Sequence, residues 1–186
     1  AQLTLVVKNS KRHKSNPEFI DDTIMTVENS VVKMNKMLSQ LRSRKISTNP
    51  LVKVDLHAVI QKSLANRQGQ VPKPQLGDIV DSIFVLADAN RLSSVLEHLV
   101  QNSQDACSAT GSVVVNYSTD DTYVAIKIED NGSGMAADFI RSKLFKPFET
   151  TKGNAGMGIG MYESREIIRS FGGTISVSSE RNVGTI

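Results

Sequence analysis

The apolar positions in the first quarter of the chain follow a heptad pattern. From Ile20 to Leu41 they recur in alternating steps of four and three residues, which is typical of a coiled-coil seam. Ser15 and Asn16 can cap the first N–H groups of this helix, and Pro17 suits its first position. A shorter apolar pattern before it predicts an earlier helix that ends around His13. Together the two helices form a predicted helical hairpin.

We place this hairpin at residues 1–46, and its seam would be exposed in a single copy. Contiguous exposed apolar surface marks an interaction site, so we expect a homodimer that forms through the hairpin. The Ser, Thr, Asn and Pro residues within 47–50 indicate a linker. A second domain is therefore predicted over residues 51–186.

Strands and helices interleave in the second domain. The predicted strands are Leu51–Asp55, Ile83–Asp88, Ser112–Ser118, Tyr123–Asp130, Thr174–Ser178 and a last one from Gly184. The predicted helices are His57–Asn66, Asn90–Ala109, Ala137–Lys143 and Met157–Phe171. The third and fourth strands form an antiparallel hairpin that turns at Thr119–Asp121. The predicted fold class is therefore α+β, with a helical hairpin followed by an α/β sandwich in which helices cover one face of a mixed sheet.

Composition narrows the class of protein. The 186 residues are 39% hydrophobic and 22% charged, as in ordinary soluble globular proteins. The net charge of +3 is too small to indicate a nucleic-acid or anionic-membrane partner. A single cysteine, Cys107, cannot form an internal disulfide, so we expect a cytoplasmic protein. No apolar run approaches the roughly 20 residues that span a bilayer, although both chain ends fall inside predicted elements, so we expect a longer parent protein that is free or membrane-anchored.

The predicted helix Asn90–Ala109 carries an apolar stripe and a polar one beside it. The apolar stripe consists of Leu92, Leu96, Leu99, Ser103 and Ala106. His98, Asn102 and Asp105 lie one turn apart on the neighbouring stripe. A polar stripe in this position suits the wall of a pocket, and it also suits a solvated helix edge.

A carboxylate and two glycines follow the strand Tyr123–Asp130. Asp130 has the same parity as the apolar residues of the strand, so its side chain is predicted to point inward. A buried carboxylate needs a hydrogen-bond donor, and an adenine amino group would serve. Gly132 and Gly134 supply a tight turn and let a flat base approach the backbone. An ordinary Asn-Gly turn is the alternative.

Two further segments suit a phosphate site. Phe145 and Phe148 are predicted to pack in the core and to anchor a mobile lid that carries Thr151 and Lys152. Three glycines in the run 156–160 then open a helix, whose free backbone N–H groups and dipole attract anions. The glycines do not follow a first βαβ strand and no Gly-Lys-Ser or Gly-Lys-Thr occurs, so a Rossmann fold and a P-loop are set aside.

In their order and spacing, the four segments resemble the nucleotide-binding fold shared by histidine kinases, gyrase B, Hsp90 and MutL, the GHKL or Bergerat superfamily. The resemblance runs from about Val52 to the C-terminus and implies ATP and Mg²⁺ as cofactors. It implies that Asn102 holds Mg²⁺, that Asp130 binds the adenine amino group, and that Lys152 and His98 join Asn102 as candidate catalytic residues. The residues it assigns to ATP binding are Asn102, Asp105, Asp130, Gly132, Gly134, Met135, Phe145, Thr151, Lys152, Gly156, Met157, Gly158, Ile159, Gly160 and Thr185.

The helical hairpin ahead of this domain singles out the histidine kinases. The segments "VVKNSKRHKSNPEF", "EHLVQNSQDA", "LFKPFETTKG" and "GMGIGMYESREIIRSFGG" are similar to the exosortase (PEP-CTERM) system sensor histidine kinases. The resemblance implies transfer of the γ-phosphoryl group to a histidine upstream of Ala1, then relay to an aspartate of a response-regulator receiver domain. His13 lacks the acidic neighbour of a phosphoacceptor, so we do not expect it to serve.

His98 departs from the superfamily pattern. The related ATPases carry a water-activating glutamate at this position, so its replacement favours phosphorylation over hydrolysis. Two alternatives remain open. A GHKL-type ATPase acting as a conformational machine predicts steady hydrolysis, whereas a non-catalytic dimerisation or anti-factor module predicts no nucleotide binding.

Overall fold

The computed structural model describes residues 2–13, 15–43, 50–77, 83–120, 122–151 and 158–186. The chain divides into two compact units, Ala1–Thr48 and Asn49–Ile186. We call them the helical unit and the α/β unit.

The helical unit contains two helices, α1 (Gln2–His13) and α2 (Pro17–Ser43), so the predicted hairpin is present. Asn16 starts α2: its side-chain Oδ1 accepts a hydrogen bond from the Glu18 N–H at 3.1 Å, and its carbonyl accepts from Ile20 N–H. The first of these bonds satisfies one of the backbone N–H groups that a helix start leaves unpaired, and the second is the first hydrogen bond within the helix.

The apolar seam of α2 is exposed within the helical unit. Its five described side chains are between 41% and 51% exposed; they are Ile20, Ile24, Val27, Val31 and Met34. The side chains of the last two predicted seam residues, Leu38 and Leu41, lie outside the described residues.

The α/β unit contains a mixed sheet, as predicted. Five strands lie in the order β2-β4-β5-β7-β6; they are β2 (Gln75–Leu76), β4 (Val113–Thr119), β5 (Val124–Asp130), β6 (Ser179–Glu180) and β7 (Gly184–Thr185). β2 runs parallel to β4, whereas the other pairs are antiparallel. A separate antiparallel ribbon consists of β1 (Val52–Asp55) and β3 (Phe84–Ala87).

The sheet differs from the prediction at two strands. β2 was not predicted, because two residues show no measurable alternation. The strand expected at Thr174–Ser178 lies instead at Ser179–Glu180, and Ser178, directly before it, exchanges two backbone hydrogen bonds with Ile186.

The described part of the α/β unit also contains four helices: α3 (Leu56–Ala65), α4 (Ala89–Ala106), α5 (Ala137–Ser142) and α6 (Gly160–Ser170). The Asp88 side chain starts α4 by accepting from two N–H groups of its first turn. α4 ends at Ala106, three residues before the predicted end, because Cys107 adopts an extended conformation. α6 begins at Gly160 rather than at Met157.

The core lies between α3, α4 and the sheet. Its most buried residues are Leu56, Ile60, Val100, Val113 and Val115. The predicted apolar stripe of α4 is partly wrong, because Val100 is 1% exposed whereas Leu99 and Ala106 are only half-buried. The buried face of α4 keeps the predicted Leu92, Leu96 and Ser103 and adds Val95, Val100 and Gln104.

Candidate nucleotide-binding site

Asp130 ends β5 in a half-buried position. The strand alternates as expected, since the three apolar residues Val124, Ile126 and Ile128 pack against the core. The Asp130 side-chain Oδ1 accepts a hydrogen bond from Gly132 N–H at 2.9 Å. This bond holds the carboxylate over the turn that follows the strand.

The turn after Asp130 packs directly on the end of α4. The Ser133 N–H donates to the Ala106 carbonyl at 2.9 Å. A Cβ atom on Gly132 would lie 2.6 Å from the same oxygen, so no side chain fits there. Gly132 is therefore required for a close approach of the turn to α4.

Gly134 is also required for a close approach, in this case to the β6–β7 hairpin. Gly134 has a φ of +60°, and a Cβ atom on it would overlap the Glu180 carbonyl oxygen. The Asn182 N–H also donates to the Ser133 carbonyl at 2.9 Å. The β6–β7 hairpin thus packs on the glycine turn from the side opposite α4.

Ser179, which sequence analysis missed, joins the glycine turn to β7. Its Oγ accepts from Met135 N–H at 2.9 Å, donates to the Gly184 carbonyl at 2.7 Å, and lies 3.0 Å from Thr185 Oγ1. Thr185 in turn lies opposite Asp130 in the register of β5 and β7. No local signal marks Ser179, because its partner is 44 residues away in the chain.

We call this group of residues the Asp130 edge. It comprises Asp130, Gly132–Met135, Ser179, Gly184 and Thr185.

Asn102 lies on α4 in contact with α6. Its side-chain Nδ2 lies 3.2 Å from His98 Nε2 and 3.6 Å from Met161 Sδ. His98 Nδ1 lies 3.2 Å from the hydroxyl of Ser164, which is buried. Sequence analysis placed His98 and Asn102 on one helix stripe but missed Met161 and Ser164.

Gly160 makes room for the His98 ring. A Cβ atom on Gly160 would overlap the imidazole at Nε2. This glycine therefore serves a side-chain contact between two helices, whereas the sequence analysis explained it only by backbone exposure to an anion. We call His98, Asn102, Gly160, Met161 and Ser164 the Asn102 edge.

The two predicted aromatic anchors, Phe145 and Phe148, differ in how far their side chains are buried. Phe145 is half-buried, with the Arg165 guanidinium 4.9 Å from its ring centroid and bonded to its carbonyl. The core position predicted for Phe148 is wrong, because its side chain is 60% exposed. Its φ of +70° orients its N–H toward the Gly158 carbonyl, 2.8 Å away.

The predicted lid is described only at its ends. The bond from Phe148 to Gly158 fastens these ends together, and Gly158 has a φ of +65°. Thr151 is exposed, and Ile159 is buried just before α6. Lys152, Gly156 and Met157 lie outside the described residues.

The carboxylate of Asp130 affects the pKa of a neighbouring thiol, that of Cys107. Burial raises the pKa of Cys107, and the negative charge of Asp130 raises it further.

Asp105, one turn after Asn102, is exposed on α4.

The donor set fits a magnesium ion that is shared with a phosphate ligand. Over the described ranges, no group of three or more His, Cys, Asp or Glu residues could hold a metal by itself. Mg²⁺ takes few protein ligands and completes its shell with water and phosphate oxygens. The amide oxygen of Asn102 is a ligand of the required hard type.

No helix in the described part of the chain has both the length and the apolar character needed to cross a membrane.

Comparisons with known proteins agree with this geometry. The family model "Histidine kinase-, DNA gyrase B-, and HSP90-like ATPase" matches residues 87–186. The C4-dicarboxylate transport sensor protein DctB of Rhizobium meliloti (strain 1021) is 40% identical over 101 residues, which cover 53% of this chain and 16% of DctB. The sensor histidine kinase ZraS of Escherichia coli (strain K12) is 31% identical over 158 residues, covering 82% of this chain and 34% of ZraS.

A solved structure has the same fold. Histidine kinase ThkA, in complex with the response regulator protein TrrA, superposes with a TM-score of 0.67 at 20% identity, over 98% of this chain and 55% of the ThkA chain. The chain spans about a sixth of DctB and a third of ZraS. It belongs to the histidine kinase-, DNA gyrase B-, and HSP90-like ATPase family.

Proposed function

We propose that this chain binds Mg-ATP and transfers its γ-phosphoryl group to a histidine upstream of Ala1, for relay to an aspartate of a response regulator. The observation that supports this most is the bond from Ser133 N–H to the Ala106 carbonyl. It joins the turn after Asp130 to α4, four residues beyond Asn102. This contact supports a single site that includes the candidate purine-binding and metal-binding side chains.

Asp130 is the proposed adenine contact. One carboxylate oxygen accepts from Gly132 N–H, and a carboxylate has further lone pairs for a second donor. The exocyclic amino group of adenine supplies that donor. The close packing of Gly132 and Gly134 on their neighbours leaves the turn without side chains at both positions.

The proposed triphosphate contacts lie between α4 and α6. When bound, Mg²⁺ offsets the negative charge that the phosphates carry and develop during transfer. Asn102 would hold the ion through its amide oxygen, and the start of α6 at Gly160 directs backbone N–H groups outward, which favours an anion. We keep Lys152 as a proposed phosphate contact.

The helical unit is the proposed dimerisation region. Its exposed seam suits a second copy of the chain, and a dimer would present the acceptor helix of the parent protein to the catalytic core. ThkA was solved with a response regulator, which supports a receiver domain as the downstream partner. We further propose a place in the cytoplasm and a position among the exosortase-system kinases.

Binding and transfer can be tested separately. Isothermal titration should show ATP binding by this chain with Mg²⁺, and little steady release of inorganic phosphate. A version extended at its N-terminus should acquire an acid-labile, base-stable phosphoryl group from γ-labelled ATP and pass it to a receiver domain. Absence of nucleotide binding would favour the non-catalytic module, and rapid steady hydrolysis would favour the conformational ATPase.

A further inference from the structure

His98 lies on the polar stripe of α4 next to Asn102, and the proposed function leaves its role unexplained. We propose that His98 is a positioning residue: held by Ser164, it orients the Asn102 amide so that the amide oxygen faces the Mg²⁺ of bound Mg-ATP. This inference rests on the proposed function, because it assumes that Asn102 is the metal contact.

The protons in this contact can be assigned from its geometry. An amide nitrogen only donates, so at 3.2 Å from Asn102 Nδ2 the His98 Nε2 must be the acceptor. A neutral imidazole that accepts at one nitrogen carries its proton on the other. His98 Nδ1–H therefore donates to Ser164 Oγ, 3.2 Å away.

This assignment fixes the direction of the amide group. Asn102 Nδ2 faces His98 Nε2 and also Met161 Sδ, and both of these atoms are acceptors. Since nitrogen and oxygen diverge from the same carbon, the Asn102 oxygen points away from both. With the imidazole proton on Nδ1, a flipped amide would place its oxygen against two acceptors, which is unfavourable. His98 thus selects one of the two orientations of Asn102.

Packing fixes the ring itself. Gly160 has no side chain where the imidazole lies, and Ser164, 3% exposed, holds Nδ1 from the same helix. Residues 160 and 164 are one turn apart on α6, as residues 98 and 102 are on α4. The two helices therefore hold the ring between them. Because both ring nitrogens are engaged, His98 does not serve as a base for water.

The test measures how strongly Mg²⁺ enhances ATP binding, as the ratio of ATP affinity in Mg²⁺ to that in EDTA. In His98→Phe the ring volume remains but both nitrogens are lost, so we expect the ratio to fall about 3- to 10-fold while affinity in EDTA is unchanged. Ser164→Ala should lower the ratio in the same direction. His98→Gln should retain most of it, because an amide oxygen near the position of Nε2 can accept from Asn102.

His57→Phe is the matched control. It removes the half-buried histidine that bonds the Tyr117 hydroxyl, and it should leave the ratio as in the wild type. Thermal unfolding of each variant reports whether the fold is kept.

Asn102→Ala separates the two proposals. If Asn102→Ala lowers the ratio of ATP affinity in Mg²⁺ to that in EDTA, and adding His98→Phe lowers it no further, the positioning role is established. Loss in Asn102→Ala together with a wild-type ratio in His98→Phe would overturn the positioning role alone. A wild-type ratio in Asn102→Ala would overturn the metal assignment, and the positioning role with it.

Discussion

The two edges of the candidate site are held together by different kinds of contact. At the Asp130 edge most bonds involve the backbone: Gly132 N–H, Ser133 N–H and Met135 N–H all donate to fixed acceptors. At the Asn102 edge hydrogen bonds join side chains, from Ser164 through His98 to Asn102. Backbone contacts depend on which positions lack a Cβ atom, whereas side-chain contacts depend on matched pairs of residues. The destabilising effect of a substitution at the Asp130 edge should therefore not be relieved by a second substitution. At the Asn102 edge a second substitution should relieve it.

Gly134→Ala should have the largest effect. The change forces a side chain into a positive φ and against the Glu180 carbonyl, so we expect the free energy of unfolding of the α/β unit to fall by roughly 3 kcal/mol. Urea unfolding followed by circular dichroism measures it.

Two other glycines serve as controls for that change. Gly172 has a φ of +83° but open space around it, so Gly172→Ala should cost only the backbone part, about 1–2 kcal/mol. Gly69 has open space and no unusual φ, and Gly69→Ala should leave stability unchanged or slightly higher. Equal losses at Gly134 and Gly172 would argue against the close contact with Glu180.

Asp130→Asn should weaken ATP binding about 10- to 100-fold, because a hydrogen bond to a charged group is worth about 1.5–3 kcal/mol. Isothermal titration with ATP checks this. Asp138→Asn, at an exposed aspartate on α5 that pairs with Arg141, is the matched control and should bind as the wild type does. An unchanged affinity in Asp130→Asn would remove the adenine assignment.

Gly160→Ala tests repair at the Asn102 edge. Its Cβ atom would displace the His98 ring, at an expected cost of about 1–3 kcal/mol of unfolding free energy. In a His98→Ala background the same substitution should cost clearly less, because the space of the ring is available. A double-mutant cycle measures the difference. Additive losses would show that the ring and Gly160 do not share this space.

Ser179→Ala should have a smaller effect, about 1 kcal/mol of stability, with a matching loss of ATP affinity. The substitution leaves Met135 N–H without its acceptor and removes the donor to Gly184. Ser170→Ala is the control, because that exposed hydroxyl bonds the Ile167 carbonyl within the same helix. Equal behaviour of the two variants would contradict a role for Ser179 in holding the turn.

The smallest expected effect is on the reactivity of Cys107, which depends on the charge of Asp130. Asp130 raises the pKa of this thiol, so Asp130→Asn should lower that pKa and increase the thiolate fraction at any pH below it. Alkylation by iodoacetamide at pH 8 should then become faster. Glu129→Gln, which removes a carboxylate paired with Lys127, should not change the rate. A slower reaction in Asp130→Asn would reverse the proposed sign.

The sequence predicted the Asp130 edge better than the Asn102 edge. Strand parity placed Asp130, and the glycine spacing placed the turn, since both depend on local backbone geometry. Phe148 was misplaced because an aromatic residue is expected in the core unless its backbone turns to a positive φ, as it does here. The predicted stripe of α4 was wrong at Leu99 and Ala106 and omitted the buried Val100, because periodicity alone does not say which neighbours a helix meets.

By itself, the sequence determined the helical hairpin, the antiparallel pair β4–β5, and the positions of the candidate carboxylate and amide. These features follow from periodicity, capping residues and turns, which act over a few residues. Only the tertiary structure decided the partners of His98 and Ser179, because Ser164 and Met135 reach them across 66 and 44 residues of chain. Contacts at such separations depend on how helices and strands pack, and no local pattern in the sequence encodes that packing.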